Sequence, residues 1–508
     1  MWRRLEERRD PWDIVIIGGG ATGAGIAIDA ASRGYSTLLL EQSDFGKGTS
    51  SRSTKLVHGG VRYLEQGNLR LVMEALRERG ILLQNAPHLV HDLAFVVPNY
   101  DWWEAPFYGA GLKLYDLLAG KYRFGPSAIL SRDETLARLP TIRTDGLRGG
   151  VVYYDGQFDD SRLLIHLVAT ASEQGATLLN YAQVTAVARN GVRFHDVETG
   201  AAFDVHARVV INATGPFSDS VRRLADPAAE PSIAPSQGIH LVFDRSFLPG
   251  DSAIMVPHTS DGRVMFAIPW HGHTVVGTTD TPVAEATLEP AAQEQEIDFI
   301  LETAALYLAK PPSRADVLSV FAGIRPLAGA GAARTASVSR DHSIRVEESG
   351  IVTISGGKWT TYRRMAEECV THAAAAGGLP VSTPVTRTLP IHGYHADSAQ
   401  FGALAVYGAD APKIEELGAP ARLHPALPYI EAEVIWASRA EMARTVEDVL
   451  ARRTRALFLN ARAAIAMAPR VAELMARELG RDESWQRAQV ACFGEVAARY
   501  CVGTGPPR

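Results

Sequence analysis

Three features of the sequence predict an α/β protein. The expected architecture is a discontinuous Rossmann-like domain, with an antiparallel-sheet domain inserted in it and an α-helical C-terminal cap. The first feature is an apolar, β-branched run at 13–17 that enters the glycine cluster Gly18-Gly19-Gly20-Ala21-Thr22-Gly23 and continues into helix-forming residues. The second is a series of short alternating segments between 238 and 277, punctuated by turn residues. The third is helical spacing from 431 onward, with Ile435, Met442, Val446 and Leu450 on one face.

Each part of the first feature has a physical role. Gly18 allows the tight strand-to-helix turn, Gly20 lets a pyrophosphate approach the backbone, and Gly23 lets the helix pack closely on the sheet. The helix N-terminus offers unpaired N–H groups and a positive dipole end to phosphates. Tyr35 to Leu40 reads as a second buried strand. It ends in Glu41, 18 residues beyond Gly23 and near the offset of a ribose-binding acid. Strand, glycines, helix, strand and acid in this order specify a dinucleotide site.

Later segments indicate which dinucleotide. Residues 46–64 are rich in glycine and hydroxyl groups and end in His58-Gly59-Gly60-Val61-Arg62-Tyr63-Leu64, a stretch suited to an extended phosphate and a flat ring. Val209 to Pro216 is a buried strand running into Gly215, and Ile351 to Arg363 is another, with Gly356-Gly357 ahead of a helix. Three such turns spread along the chain suit FAD, which lies extended through its domain, better than NAD.

These residues resemble the FAD-dependent sn-glycerol-3-phosphate dehydrogenases, within the D-amino-acid-oxidase-like flavoproteins. The matching motifs are the Gly18–Gly23 fingerprint, Thr49-Ser50-Ser51 with Lys55-Leu56-Val57-His58-Gly59-Gly60-Val61-Arg62-Tyr63, and Asn212-Ala213-Thr214-Gly215-Pro216. Further along are Ile268-Pro269-Trp270, Gly277-Thr278-Thr279-Asp280, Gly323-Ile324-Arg325-Pro326-Leu327, Ser339-Arg340-Asp341 and Gly356 to Arg363. They span 13 to about 370. One departure stands out: Gln237 occupies a position where the family leads one to expect Lys, leaving one positive charge fewer near the substrate pocket.

The resemblance implies non-covalent FAD held by Gly18, Gly19, Gly20, Ala21, Thr22, Gly23, Glu41, Thr49, Ser50, Ser51, Lys55, Leu56, His58, Gly59, Ala213, Thr214, Gly215, Gly357, Lys358, Trp359 and Thr360. It implies oxidation of sn-glycerol 3-phosphate to dihydroxyacetone phosphate by hydride transfer to FAD, with electrons passed to a quinone. Arg325 and Arg340 match phosphate-binding positions, as expected of guanidinium forks that grip a dianion. Arg62 and Tyr63 would reach the hydroxyl end of the substrate, and Lys358 the flavin edge or the substrate. His58 and His240 are both candidate bases, since imidazole accepts a proton near neutral pH. Arg62 or Lys358 could share that task. Asp280 reads as an orienting residue. Two other functions fit the same fold: a soluble flavin oxidase using oxygen, and a non-catalytic flavin-binding redox sensor. The paired arginines favour a phosphorylated substrate over an amino acid, and the set around one ring argues against a sensor.

Bulk properties fit a large enzyme. The 508 residues allow two to four domains, and a net charge of −6 with interspersed signs shows no nucleic-acid footprint. Cys369, Cys492 and Cys501 form neither a disulfide framework nor a metal site, which fits a reducing compartment. Residues 1–9 read as a short charged extension. The expected domains are 1–95, 150–230 and 315–378 for the flavin, 96–149 and 231–314 for the substrate, and 385–508 for the helical region, with 377–393 as a linker. A cytoplasmic protein peripheral to the inner face of the cell membrane is expected, and a homodimer is a further expectation. The membrane contact is assigned to 98–124, where Trp102, Trp103, Phe107, Tyr108, Leu112 and Tyr115 fit an apolar helical face beside Lys113, Lys121 and Arg123.

Overall fold

The computed structural model describes residues 1–60, 68–257, 259, 262–329 and 341–503. The fingerprint strand Trp12–Ile17 is flanked on both sides by parallel neighbours, Ala202–Asn212 and Thr37–Leu40. Thr177–Leu179 extends the sheet past Thr37–Leu40, and Val352–Gly356 extends it past Ala202–Asn212. A strand buried on both faces must be apolar throughout, which is why Ile14, Val15, Ile16 and Ile17 follow one another without alternation. Helices Ala21–Ser32, Asp160–Glu173 and Tyr362–Ala376 seal one face through Ile26, Leu164 and Val370. The other face is closed by Leu5, Trp12, Phe194 and Val210.

The second sheet is mostly antiparallel. Ile233–Asp244 lies between Val317–Ala328 and His273–Gly277, and the sheet continues through Met265–Trp270, Ser252–Val256, Val90–Asn99 and Gly149–Phe158 to Leu56–Val57. The expected short strands are present. His271 and Gly272 both take positive φ, 45° and 71°, as the tight hairpin between their strands requires. Of the other expected turn, Asp261-Gly262, Asp261 lies outside the described residues. Leu56–Val57 is the edge strand on Gly149–Phe158, so the loop before it passes directly from the nucleotide sheet to the second sheet.

The C-terminal helices Glu431–Ala440, Ala461–Leu479 and Glu483–Ala498 share one apolar core with the second sheet, through Phe458, Tyr500, Phe321 and Trp270. The helical spacing from 431 to 453 does not form one helix. Regular α-helix ends at Ala440, and Asp448–Arg453 is a wider π-type turn. Tertiary ion pairing overrides the local preference: Arg452 and Arg453 both bond the buried Asp44, and Arg455 reaches Asp160 at 3.1 Å with φ at +63°. The segment 377–393 is irregular but tied down, with Tyr35 donating to the Pro380 carbonyl and Asn85 to that of Thr386.

The helix Glu104–Ala119 divides the aromatic face expected of 98–124. Tyr108, Leu112 and Tyr115, at helical spacing, are buried in the core; Trp102, Trp103, Phe107 and Leu117 face outward, with Trp102 77% and Leu117 76% exposed. Among the described residues, no helix is long and apolar enough to cross a membrane.

Candidate active site

The three glycine turns recognised in the sequence follow neighbouring strands of one sheet. Gly18 follows Trp12–Ile17, Ala213 to Gly215 follow Ala202–Asn212, and Gly357 follows Val352–Gly356. Open parallel sheets bind ligands at the carboxyl ends of their strands, and these turns border a cavity of about 420 Å³ there. Two glycines are required by contact. A Cβ on Gly18 would lie 2.7 Å from the Ala213 carbonyl oxygen at a φ of +110°, and one on Gly23 would lie 1.9 Å from the Gly18 carbonyl oxygen. Gly20 caps the helix Ala21–Ser32, whose N-terminus borders the cavity.

The loop at 46–51 is held against that helix. Ser50 Oγ accepts from Ala21 N at 2.9 Å, Trp359 Nε1 donates to the Ser50 carbonyl at 2.8 Å, and Thr49 Oγ1 donates to the Ile324 carbonyl at 2.6 Å. Glu41 accepts from Gly19 N at 2.7 Å and Ser43 N at 2.9 Å. Burial raises its pKa, while these two backbone bonds work against the shift. A second cavity, of about 220 Å³, shares Thr49, Gly357, Lys358 and Trp359 with the first. The first cavity runs from Glu41 to this shared wall, and its lining of glycine turns and a helix N-terminus fits a dinucleotide.

His58, His240, Arg325, Lys358, Leu56 and Thr360 all line the second cavity. Arg325 is borne on Val317–Ala328, opposite Ser236. Its guanidinium donates to Thr278 Oγ1 at 3.1 Å and the Thr279 carbonyl at 2.9 Å, and pairs with Asp280 at 3.3 Å. Asp280 therefore steadies the arginine. Gly238 makes the guanidinium's position possible, since a Cβ there would lie 2.3 Å from Arg325 Nη2. His240 stacks on Phe321 with centroids 4.8 Å apart, and its Nε2 is 2.9 Å from Thr54 Oγ1. Burial, then the charges of Lys55 and Arg325, hold His240 well below the ordinary imidazole range.

Several expected contacts are placed otherwise. Gly19, Gly23, Ser51, Lys55 and Gly59 do not line either cavity. Lys55 is fully buried: its ammonium is 2.7 Å from Asp160 Oδ2, 3.0 Å from the Ser51 carbonyl and about 5 Å from the Phe321 ring centre. Burial brings its pKa down to about 7 against the pull of Asp160. Gly59 serves packing rather than a flavin approach, since a Cβ would lie 2.3 Å from Tyr115 Oη and 2.6 Å from Leu76. Gln237 is also turned away from the pocket. Its amide donates to Glu296 Oε2 at 2.7 Å, so the missing charge would face Glu296 rather than a substrate. Arg62, Tyr63 and Arg340 lie outside the described residues. Sequence reasoning passed over Thr54, Arg52 and Thr278. All three carried a signal, Thr54 and Arg52 inside the hydroxyl-rich stretch and Thr278 inside the Gly277–Asp280 motif.

Comparison with known proteins agrees with this geometry. Residues 13–363 match the FAD dependent oxidoreductase family, and residues 351–486 match the C-terminal domain of alpha-glycerophosphate oxidase. The mitochondrial glycerol-3-phosphate dehydrogenase of Homo sapiens is 42% identical over 94% of this chain and 72% of its own length. The chain belongs to the FAD-dependent glycerol-3-phosphate dehydrogenase family. The mitochondrial enzyme of Arabidopsis thaliana is likewise 42% identical, over 95% of this chain and 85% of its own. The glycerol-3-phosphate dehydrogenase of Bacillus halodurans, solved with FAD, superposes with a TM-score of 0.78 at 29% identity, over 99% of this chain and 98% of its own. The protein is an FAD-dependent oxidoreductase, with the α/β architecture and helical C-terminal region of its family.

Proposed function

We propose that the protein oxidises sn-glycerol 3-phosphate to dihydroxyacetone phosphate and passes the electrons to a quinone. The observation that carries this reading is Arg325, whose guanidinium is oriented by Thr278, Thr279 and Asp280 on the wall shared with His58 and Lys358. Bound FAD supplies the acceptor for the hydride leaving C2. The chain's own residues do the rest. Arg325 grips the phosphate, assisted by Arg340, and Lys358, which lines both cavities, would serve the flavin edge or the substrate. His58 borders the same cavity and takes the C2 hydroxyl proton as hydride departs. Arg62 and Tyr63 are assigned to the hydroxyl end by their motif alone.

The quinone assignment rests on the outward apolar patch of Trp102, Trp103, Phe107 and Leu117, which offers an interfacial attachment without a spanning helix. The test is an anaerobic titration of the FAD-loaded protein. Glycerol 3-phosphate should bleach the flavin, while glycerol and D-amino acids leave it oxidised. A flavin that stays yellow with glycerol 3-phosphate sinks the reading, and rapid reoxidation by oxygen but not by a quinone would make the protein an oxidase.

A further inference from the structure

Thr54 lies half-buried on the wall of the second cavity, in the loop that joins the two sheets. Its hydroxyl oxygen is 2.9 Å from His240 Nε2 and has no second partner among the described residues. Both sequence neighbours are pinned to one buried carboxylate. Ser53 N and Oγ approach Asp160 Oδ2 at 3.0 and 2.7 Å, and Lys55 Nζ approaches the same oxygen at 2.7 Å. Arg455, from the C-terminal region, holds the other oxygen at 3.1 Å. Thr54 is thus fixed from both sides in the wall of the cavity.

His240 is held as firmly. Phe321 stacks on one side of its ring, and a Cβ on Gly277 would lie 2.3 Å from Cδ2. Its Nδ1 is buried with no hydrogen-bond partner among the described residues. Buried N–H donors without a partner are rarer than under-satisfied acceptors, which places the ring proton on Nε2. In that tautomer His240 donates to Thr54 Oγ1, and the Thr54 hydrogen is left for another acceptor.

We propose that Thr54 is a substrate-binding residue, donating its hydroxyl hydrogen to an oxygen of a phosphorylated alcohol, and that His240 is a positioning residue for this donor rather than the base. The inference rests on the glycerol-phosphate reading above. The electrostatics agree, since Lys55 and Arg325 oppose a further positive charge on His240, whereas a neutral donor pair meets no such opposition.

The experiment compares Thr54→Val, Thr54→Ser and His240→Gln in FAD-loaded protein, by rapid-reaction reduction with glycerol 3-phosphate across pH. Thr54→Val keeps the shape and loses the hydroxyl. It should raise the half-saturating concentration about tenfold with the limiting rate nearly unchanged, and Thr54→Ser should restore binding. The Gln side chain can donate through its amide but cannot act as a base. His240→Gln should therefore keep the limiting rate within about threefold and leave the pH profile unmoved. Saturation of Thr54→Val at the parental concentration overturns the substrate contact. A loss of about a hundredfold or more in His240→Gln, with the acid limb of the profile gone, restores His240 as base. Should Thr54→Val fail to retain flavin, Thr54→Ala carries the same comparison. A parent protein that glycerol 3-phosphate does not reduce instead refutes the substrate reading on which this inference rests.

Discussion

Gly238 and Arg325 show how little tolerance the site has at the scale of single residues. The guanidinium occupies the space a methyl group on residue 238 would need, 2.3 Å from Nη2. Removing the fork altogether deletes a charge-assisted contact worth about 2–4 kcal/mol. Arg325→Ala should therefore lower kcat/KM for glycerol 3-phosphate by roughly thirty- to a thousand-fold, with flavin content unchanged. Arg340→Ala should fall in the same range. Gly238→Ala displaces the fork without deleting it, and the expected loss is smaller, about tenfold and mainly in KM. Steady-state kinetics of the three variants decides the point, and parental activity in Arg325→Ala would remove it from the phosphate site. His58→Asn should depress the limiting rate of flavin reduction while the protein stays yellow. His58 and His240 were both named from the sequence as candidate bases. What the sequence could not convey is that His240 is buried beside two cations with Thr54 on its Nε2, because those neighbours come from distant parts of the chain.

Among the elements, the segment that leads to the C-terminal region is held by a titratable clamp. His392 Nδ1 meets Glu173 at 2.6 Å and its Nε2 meets Asp410 at 2.6 Å, with His166 packed edge-on and Lys413 on the far side of Asp410. The hydrogen bond to Asp410, with that to Glu173, raises the His392 pKa above 6.5. A histidine whose folded pKa is raised contributes stability that is fully present below its unfolded value and is lost as pH climbs through the folded one. Partial exposure and screening limit this to about 1 kcal/mol or less. Proteolytic nicking of residues 385–397 should therefore increase as pH rises from 6 to 8.5, and His392→Asn should flatten the dependence. A pH-independent nicking rate in the parent would show that the clamp holds nothing. The glycine and proline content marked this stretch as a linker, and that much was local information. Its attachment to Glu173 and Asp410 was not, because the partners are far away in sequence.

For the whole molecule, the question is how electrons reach an acceptor. The outward patch on and beside the helix Glu104–Ala119, with Ile129 61% exposed next to it, is where the interfacial attachment proposed above would form. The protein should co-sediment with anionic vesicles and be released by detergent. Trp102→Ser with Trp103→Ser should weaken sedimentation while dye-linked activity stays at the parental level. Unchanged sedimentation of the double variant would move the contact elsewhere, and no sedimentation of the parent would favour an oxygen-using enzyme. The buried charges set a second whole-molecule property. Asp44 and Asp160 receive Arg452, Arg453 and Arg455 from the C-terminal region, so Asp160→Asn takes from Lys55 its paired carboxylate and leaves Arg455 only Asp159, at 3.7 Å. Breaking such a pair costs about 3–5 kcal/mol, and a fall in Tm of several degrees is expected, read by thermal unfolding of the FAD-loaded protein.

The sequence by itself determined the strand–turn–helix unit at the first glycine cluster. The turn at Gly18–Gly23, the strands around it and Glu41 depend on neighbours a few residues apart, so their geometry is written locally and survives in the folded protein. The short strands of the second sheet and the helices from 461 onward were legible for the same reason, as periodicity is a local property. Only the tertiary structure decided what long-range contacts control. It buried Lys55 in a pair with Asp160 and outside the lining of either cavity, divided the aromatic face of Glu104–Ala119 between core and surface, and broke the helix after Ala440 so that Arg452 and Arg453 could meet Asp44. Burial and charge pairing are properties of the assembled chain. A lysine in a motif has the same local spacing whether it faces a phosphate or a carboxylate 105 residues away, and folding alone settles which.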